Sequence, residues 1–165
     1  MNVNPVAVEE VEAENVDVLF RIWLLSRSTE NLVDSVLRPT GLSGDEFAIF
    51  SVLEAAPGIT PGELARWMSA PATTVSSYVR RFESRGHVRR EPKAEDRRSY
   101  GLTLTSTGRQ AHGAARERLR PIQKMLVSLL GEEEGVTRQV LMRLKQVVDE
   151  GRETVAVQPA PIVSP

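Results

Sequence analysis

Two short helical patterns joined by a tight turn, followed at once by an alternating pattern around a basic loop, constrain this 165-residue chain more than any other feature. In Thr60-Pro61-Gly62-Glu63, Thr60 offers an N-cap oxygen, Pro61 suits the first helical position and Glu63 completes the cap three residues on. A short helix carrying Leu64, Ala65 and Met68 opens there, with Trp67 and Met68 expected to close the helix-turn-helix core. After Ser69-Ala70, Pro71 opens another, whose Val75, Val79 and Phe82 recur at i, i+4 and i+7 until Gly86 ends it. Segments 60–68 and 71–85 therefore read as a helix-turn-helix. The period then changes to two. Val88 and Arg90 precede Pro92, and Tyr100, Leu102 and Leu104 follow a charged loop, which is the pattern of a β-hairpin.

Helices flank this unit. Val16, Leu19, Phe20, Trp23 and Leu24 begin a long one that continues through Leu37 and stops before Arg38-Pro39-Thr40-Gly41. Ser43 with Glu46 forms a capping box for the next, which carries Phe47, Phe50 and Leu53 to Pro57-Gly58. Beyond the hairpin, a helix runs from about Ser106 to Leu130 with a break or kink expected at Pro121. A final helix from about Glu132 sets Val136, Val140, Leu144 and Val147 on one stripe. The expected fold is mainly α: a winged helix-turn-helix with a two-stranded β-hairpin wing, plus N- and C-terminal helices. Residues 1–14 read as a disordered acidic tail and 151–165 as a disordered Pro-rich tail. Between them lies one domain over 15–150, with the winged helix-turn-helix lobe at 43–104 and helical flanks at 15–38 and 106–150.

Composition removes several classes of function. The chain has no cysteine and only two histidines, His87 and His112, which excludes disulfides, thiolate metal sites and paired helical histidine ligands. His112, one turn into the helix after the hairpin, reads as solvated or as a local hydrogen-bond partner. No metal site and no cofactor are expected. No run approaches the roughly 18 apolar residues of a spanning helix, and the first residues lack the pattern of a secretory signal. The expected address is the cytoplasm, with no membrane partner. Nor is there a Gly-rich phosphate loop, or a nucleophile with a histidine and an acid at recognisable spacing, so no catalytic residue is assigned and no enzyme is expected.

The net charge of −1 conceals a basic segment: Arg80 to Arg98 holds eight basic residues against four acids, while the first twenty residues carry five acids and no base. At 100° per residue, Val75, Val79 and Phe82 share one face of the second motif helix. The opposite face carries Thr73, Ser77 and Arg80, flanked by Thr74, Ser76 and Arg81, and has no acid. Short hydroxyls there can reach base edges or phosphates, and the arginines can pair with phosphate or guanine. A plain solvated helix face would look the same. The hairpin loop adds Lys93, Arg97 and Arg98, whose cationic side chains suit a narrow minor groove. Asp96, two residues before Arg98, would be repelled by DNA if it pointed outward. Its expected role is to hold the Arg98 guanidinium by a charge-assisted hydrogen bond.

From Gly58 to Gly108, the run TPGELA, then TTVSSYVRRFESRGHVRR, then Asp-Arg-Arg followed by LTLTSTG, resembles the MarR (multiple antibiotic resistance regulator) family of winged helix-turn-helix transcription factors. The resemblance implies that Asp96 and Arg98 match a wing Asp-x-Arg motif whose arginine enters the minor groove. It also implies that Thr73, Thr74, Ser76, Ser77, Arg80 and Arg81 lie in the segment that meets the major groove. Family members act as homodimers on pseudo-palindromic operators, usually as repressors released by a small ligand. The resemblance therefore makes 43–104 the DNA-binding lobe and the N- and C-terminal helices at 15–38 and 106–150 the dimerisation helices. Double-stranded DNA, a second copy of the chain and a small aromatic or anionic effector are thus the implied partners. Arg90 matches a wing-base position near the effector crevice of some members, and Trp23 can be set beside the tryptophan of urate-responsive ones, although packing is its simpler role. The cysteine of peroxide sensors and the ligands of zinc sensors are absent. The alternative from another class is a winged-helix module that binds protein or organises DNA without sensing a ligand. A crevice filled by Trp23, Phe20 and Phe47 would favour that alternative.

Overall fold

A computed structural model describes residues 17–93 and 99–157 of the chain. Eight regular elements follow in order: α1 (Val18–Leu37), α2 (Gly44–Ala55), α3 (Pro61–Trp67), α4 (Ala72–Ser84), β1 (Val88–Pro92), β2 (Tyr100–Leu104), α5 (Ser106–Leu130) and α6 (Glu134–Val157), with one-turn 3-10 segments at Arg38–Thr40 and Gly131–Glu133. Both expected capping boxes form, Ser43 with Glu46 and Thr60 with Glu63, so the starts of α2 and α3 are fixed by their own side chains. None of the described helices is long and apolar enough to cross a membrane.

One core joins the elements around the helix-turn-helix. Ile49, Phe50 and Leu53 of α2, Leu64 of α3, Val75, Val79 and Phe82 of α4, and Val88, Leu102 and Leu104 of the hairpin are buried together, closed by Leu37 and by Ala115 and Leu119 of α5. Phe50 and Phe82 meet edge to face with centroids 4.8 Å apart, tying α2 to α4. The strands pair antiparallel with Val88 opposite Leu104 and Pro92 opposite Tyr100. A short third strand position, absent from the sequence reading, joins them: Ile59 bridges to Leu102, with Gly58 N donating to Leu102 O at 2.9 Å and Leu102 N to Ile59 O at 2.8 Å. That approach leaves no room for a side chain at Gly101, where a Cβ would lie 2.5 Å from Gly58 O. A Cβ at Gly108 would likewise collide with His87 O. The root of the wing therefore rests backbone on backbone.

Four expectations need correction. α5 passes through Pro121 without a break. The carbonyl of Glu117 that loses its partner there lies on an exposed face, where water can serve it. α6 continues to Val157, seven residues beyond the expected boundary at 150, because the prolines that suggested a tail begin only at Pro159. Trp67, expected in the helix-turn-helix core, is 48% exposed. His112, expected to be solvated or bonded locally, is buried between α5 and α2. There its Nε2 lies 2.9 Å from Ser51 Oγ, its Nδ1 lies 3.7 Å from Glu54, and its ring lies 5.1 Å from that of Phe47.

Burial pushes the His112 pKa down from 6.5, against the pull of Glu54. The unfolded chain then takes up this proton more readily than the folded one. The stability due to neutral His112 is complete above about pH 6.5 and declines as the pH falls through the depressed folded value. Urea unfolding at pH 7.5 and pH 5.5 should show a smaller loss in His112→Gln than in the parent. Equal losses would place the pH dependence elsewhere.

Candidate nucleic-acid interface

α4 divides its residues as the sequence implies. Val75, Val79 and Phe82 are buried, while Thr73, Thr74, Ser76, Ser77 and Arg80 are all exposed on one continuous surface. The helix starts at Pro71 without a side-chain cap and has no acid in its first turn, so its N-terminal amides and dipole face outward beside the hydroxyls of Thr73 and Thr74. Ser77 Oγ donates to Thr73 O at 3.1 Å, which keeps that hydroxyl close to the helix. Arg80 makes no salt bridge among the described residues, and its charge is available to an anion.

Arg81 is placed differently from its expected role. Its Nε lies 3.1 Å from Glu46 Oε1, and Arg85 Nη1 lies 3.2 Å from the same oxygen. Glu46 is 3% exposed and also completes the α2 capping box, so two guanidiniums compensate one buried carboxylate. Arg81 also lies 4.9 Å over the Tyr78 ring. These contacts turn it toward α2 rather than toward the outer face. Tyr78 adds a further tie, donating to Asp45 Oδ2 at 2.7 Å; burial, aided by that carboxylate, pushes its pKa up to about 12. In the sequence, Glu46 is recognisable only as a cap. The i, i+4 pair Arg81 and Arg85 signals a shared acidic partner, but no local rule identifies which acid.

The wing is anchored to the same helix. Arg90 of β1 grips Glu83 of α4 in a two-pronged pair, both contacts at 2.8 Å, and its guanidinium stacks 4.5 Å over Tyr100 of β2. At the mouth of the loop, Lys93 N donates to Ser99 O at 3.1 Å and Lys93 Nζ lies 4.0 Å from Glu63. The Thr60 amide and hydroxyl hold the Glu63 carboxyl below its ordinary pKa, so it stays charged beside Lys93. Asp96, Arg97 and Arg98 fall outside the described residues.

Comparison with known proteins completes this picture. The family model described as MarR family matches residues 40–99, from the end of α1 through α4 to the far side of the wing loop. Over residues 40–99 the chain is therefore similar to the MarR family. Among curated relatives, the HTH-type transcriptional repressor Rv2887 of Mycobacterium tuberculosis is 33% identical over 92 residues, which cover 56% of this chain and 64% of that protein. The HTH-type transcriptional regulator YdgJ of Bacillus subtilis is 27% identical over 111 residues, 67% of this chain and 68% of YdgJ. Thus the chain spans a little under two thirds of the length of its first curated matches. The crystal structure of the M. tuberculosis transcriptional regulator MOSR in complex with DNA superimposes with a TM-score of 0.69 at 25% identity, covering 83% of this chain and 99% of that one.

The two residues linked by resemblance to an effector do not meet in this chain. A groove of about 550 Å³ runs between α1 and α2 and is lined by Ile22, Leu25, Glu30, Val33, Asp45 and Phe47. Neither Trp23 nor Arg90 lines it. Trp23 is 56% exposed and stacks on Phe20 at 5.8 Å along the outside of α1, while Arg90 is committed to Glu83 and Tyr100. Of the three aromatic residues that could have filled the crevice, only Phe47 reaches it, and the groove is open. Its charged lining residues are acids, which suit a neutral or cationic ligand better than an anionic one.

Proposed function

We propose that the chain is a sequence-specific DNA-binding transcriptional regulator that acts as a homodimer on a pseudo-palindromic operator, most simply as a repressor released by a small aromatic effector. The observation that carries this reading is the acid-free, exposed face of α4, with Thr73, Thr74, Ser76, Ser77 and Arg80 side by side on a MarR-family winged helix. The relatives named as transcriptional repressors, and the neighbour solved with DNA, support it. On this reading α4 lies in the major groove and the wing carries Lys93, Arg97 and Arg98 along the duplex, with Asp96 steadying Arg98. Such a regulator works where DNA is, which in a bacterial cell is the cytoplasm. The open groove beside Phe47 favours a ligand-sensing regulator over a module without an effector, and its acids favour a neutral or cationic aromatic.

Support for the homodimer comes from where apolar surface is left over. Among the described residues, every exposed large hydrophobic side chain except Trp67 lies on α1, the second half of α5 or α6. Val136, Val140 and Val147 are exposed, whereas Leu144 is half-buried against a groove shared with α1. A monomer rarely leaves so continuous an apolar surface open to water. Because Val147 is 64% exposed, Val147→Glu leaves the isolated subunit intact but charges this surface. Sedimentation should show the parent as a dimer at micromolar concentration and Val147→Glu shifted toward the 18.3 kDa monomer. A parent protein that sediments as a monomer would remove the dimer from the proposal. The DNA reading itself is tested by selecting bound sequences from random duplexes. An inverted repeat with half-sites about one helical turn apart is expected, and recovery of unrelated sequences would refute it.

A further inference from the structure

The turn between α3 and α4 contains the single non-glycine residue with positive φ among the described residues: Ser69, at φ 51°. A side chain disfavours that backbone region, so the conformation persists only where neighbouring groups determine it. Part of the hold is local, with Ser69 N donating to Arg66 O at 3.1 Å and Ala70 N to Ala65 O at 3.0 Å. The remaining polar groups of Ser69 are both taken by α6, eighty residues further along the chain. Ser69 Oγ donates to Asp149 Oδ1 at 2.5 Å, and the Arg152 guanidinium donates to the Ser69 carbonyl. Lys145, one turn earlier on α6, holds the other Asp149 oxygen at 2.6 Å. Together with Ser69, it keeps the Asp149 carboxyl below its ordinary pKa, so the acceptor is charged at neutral pH.

We propose that Asp149 and Arg152 are positioning residues for the DNA-reading helix, clamping the left-handed turn at Ser69 onto α6. This rests on the DNA-binding reading above. α4 begins at Ala72, three residues after Ser69, so a change in the Ser69 dihedrals swings Thr73, Thr74 and Ser77 relative to the wing. The clamp also joins two regions that otherwise share few contacts: the long helix whose apolar face the proposed dimer covers, and the turn that aims its DNA contacts. Lys145 extends the link, since it lines the groove between α1 and α6 together with Arg21 and Leu141. Displacement of α6 is thereby passed to α4.

Hydrogen exchange and DNA binding of the full chain test this together. In Asp149→Ala, amides from Ser69 to Val75 exchange faster and affinity for the selected duplex falls about three- to tenfold, the worth of a partly exposed charge-assisted hydrogen bond. The log-log salt slope does not change, because no phosphate contact is lost. Asp149→Asn keeps the acceptor oxygen and restores parental exchange. Ser69→Gly adopts positive φ unaided, so adding Asp149→Ala to it costs no further affinity. Parental exchange and affinity in Asp149→Ala would overturn the proposal. A salt slope lowered by about 0.9 per subunit in Arg152→Ala would overturn the positioning role of Arg152 in favour of direct phosphate contact. A parent protein that binds no duplex would refute the DNA reading, while exchange at Ser69 to Val75 would still decide the clamp.

Discussion

If the proposed wing contact holds, an Arg98→Ala protein is expected to bind its operator roughly a hundredfold more weakly than the parent while folding as well as it does, taking about tenfold for the loss of one minor-groove guanidinium from each subunit of the proposed dimer. If each Arg98 neutralises one phosphate, the log-log salt slope also falls by about 1.8. The companion variant Asp96→Ala separates placement from simple charge. Deleting an acid beside a polyanion should strengthen binding if the carboxylate is a bystander, whereas it weakens binding if Asp96 holds the arginine. Fluorescence anisotropy across a salt series reads both. Unchanged affinity in Arg98→Ala refutes wing insertion and leaves Thr73, Ser77 and Arg80 to carry recognition. Affinity at or above the parental value in Asp96→Ala refutes the positioning role.

Phe82→Ala is expected to cost about 3–5 kcal/mol of stability, a large share of the roughly 5–15 kcal/mol that holds a typical domain together. Phe82 is fully buried, meets Phe50 edge to face and stacks on Tyr78 at 5.8 Å, so its loss opens a cavity where α2, α4 and the wing converge. Five residues earlier, on the exposed face of the helix, Ser77→Ala removes only a hydroxyl bonded to a helix carbonyl. It should move stability by no more than about 0.5 kcal/mol, yet lower operator affinity. Urea unfolding of the two variants distinguishes the two faces of α4. A Phe82→Ala loss below about 1 kcal/mol would mean that the surrounding core collapses to fill the space.

The helix-turn-helix was legible because its signals are local. Thr60 with Glu63, Pro61, Pro71 and the 75–79–82 spacing act within a few residues of one another, and the structure places each as the sequence indicates. The outer face of α4 followed from the same geometry. What escaped depends on partners distant in the chain. Arg81 carries the charge of a DNA contact, but Glu46, thirty-five residues earlier and buried, claims it. Arg90 matches an effector-crevice position only by resemblance, and the Glu83 carboxylate and Tyr100 ring take up its guanidinium. His112 has neighbours in its own helix that imply a solvated residue, and only the packing of α5 on α2 buries it. The end of α6 is hidden for another reason: prolines from Pro159 onward give the C-terminal sequence the look of a tail, whereas Arg152 lies inside the helix and reaches back to Ser69.

The wing root has a consequence for how such a domain can diversify. Gly101 against Gly58 and Gly108 against His87 admit no side chains, the Arg90–Glu83 fork fixes the hairpin to α4, and the Lys93–Ser99 hydrogen bond closes the mouth of the loop. Among the described residues, the contacts that hold the hairpin therefore lie at or before Lys93 and at or after Ser99. Exchange of residues 94–98 is expected to leave this frame in place, so that the length and charge of the insert can be suited to a wider groove, a stiffer A·T tract or another polyanion.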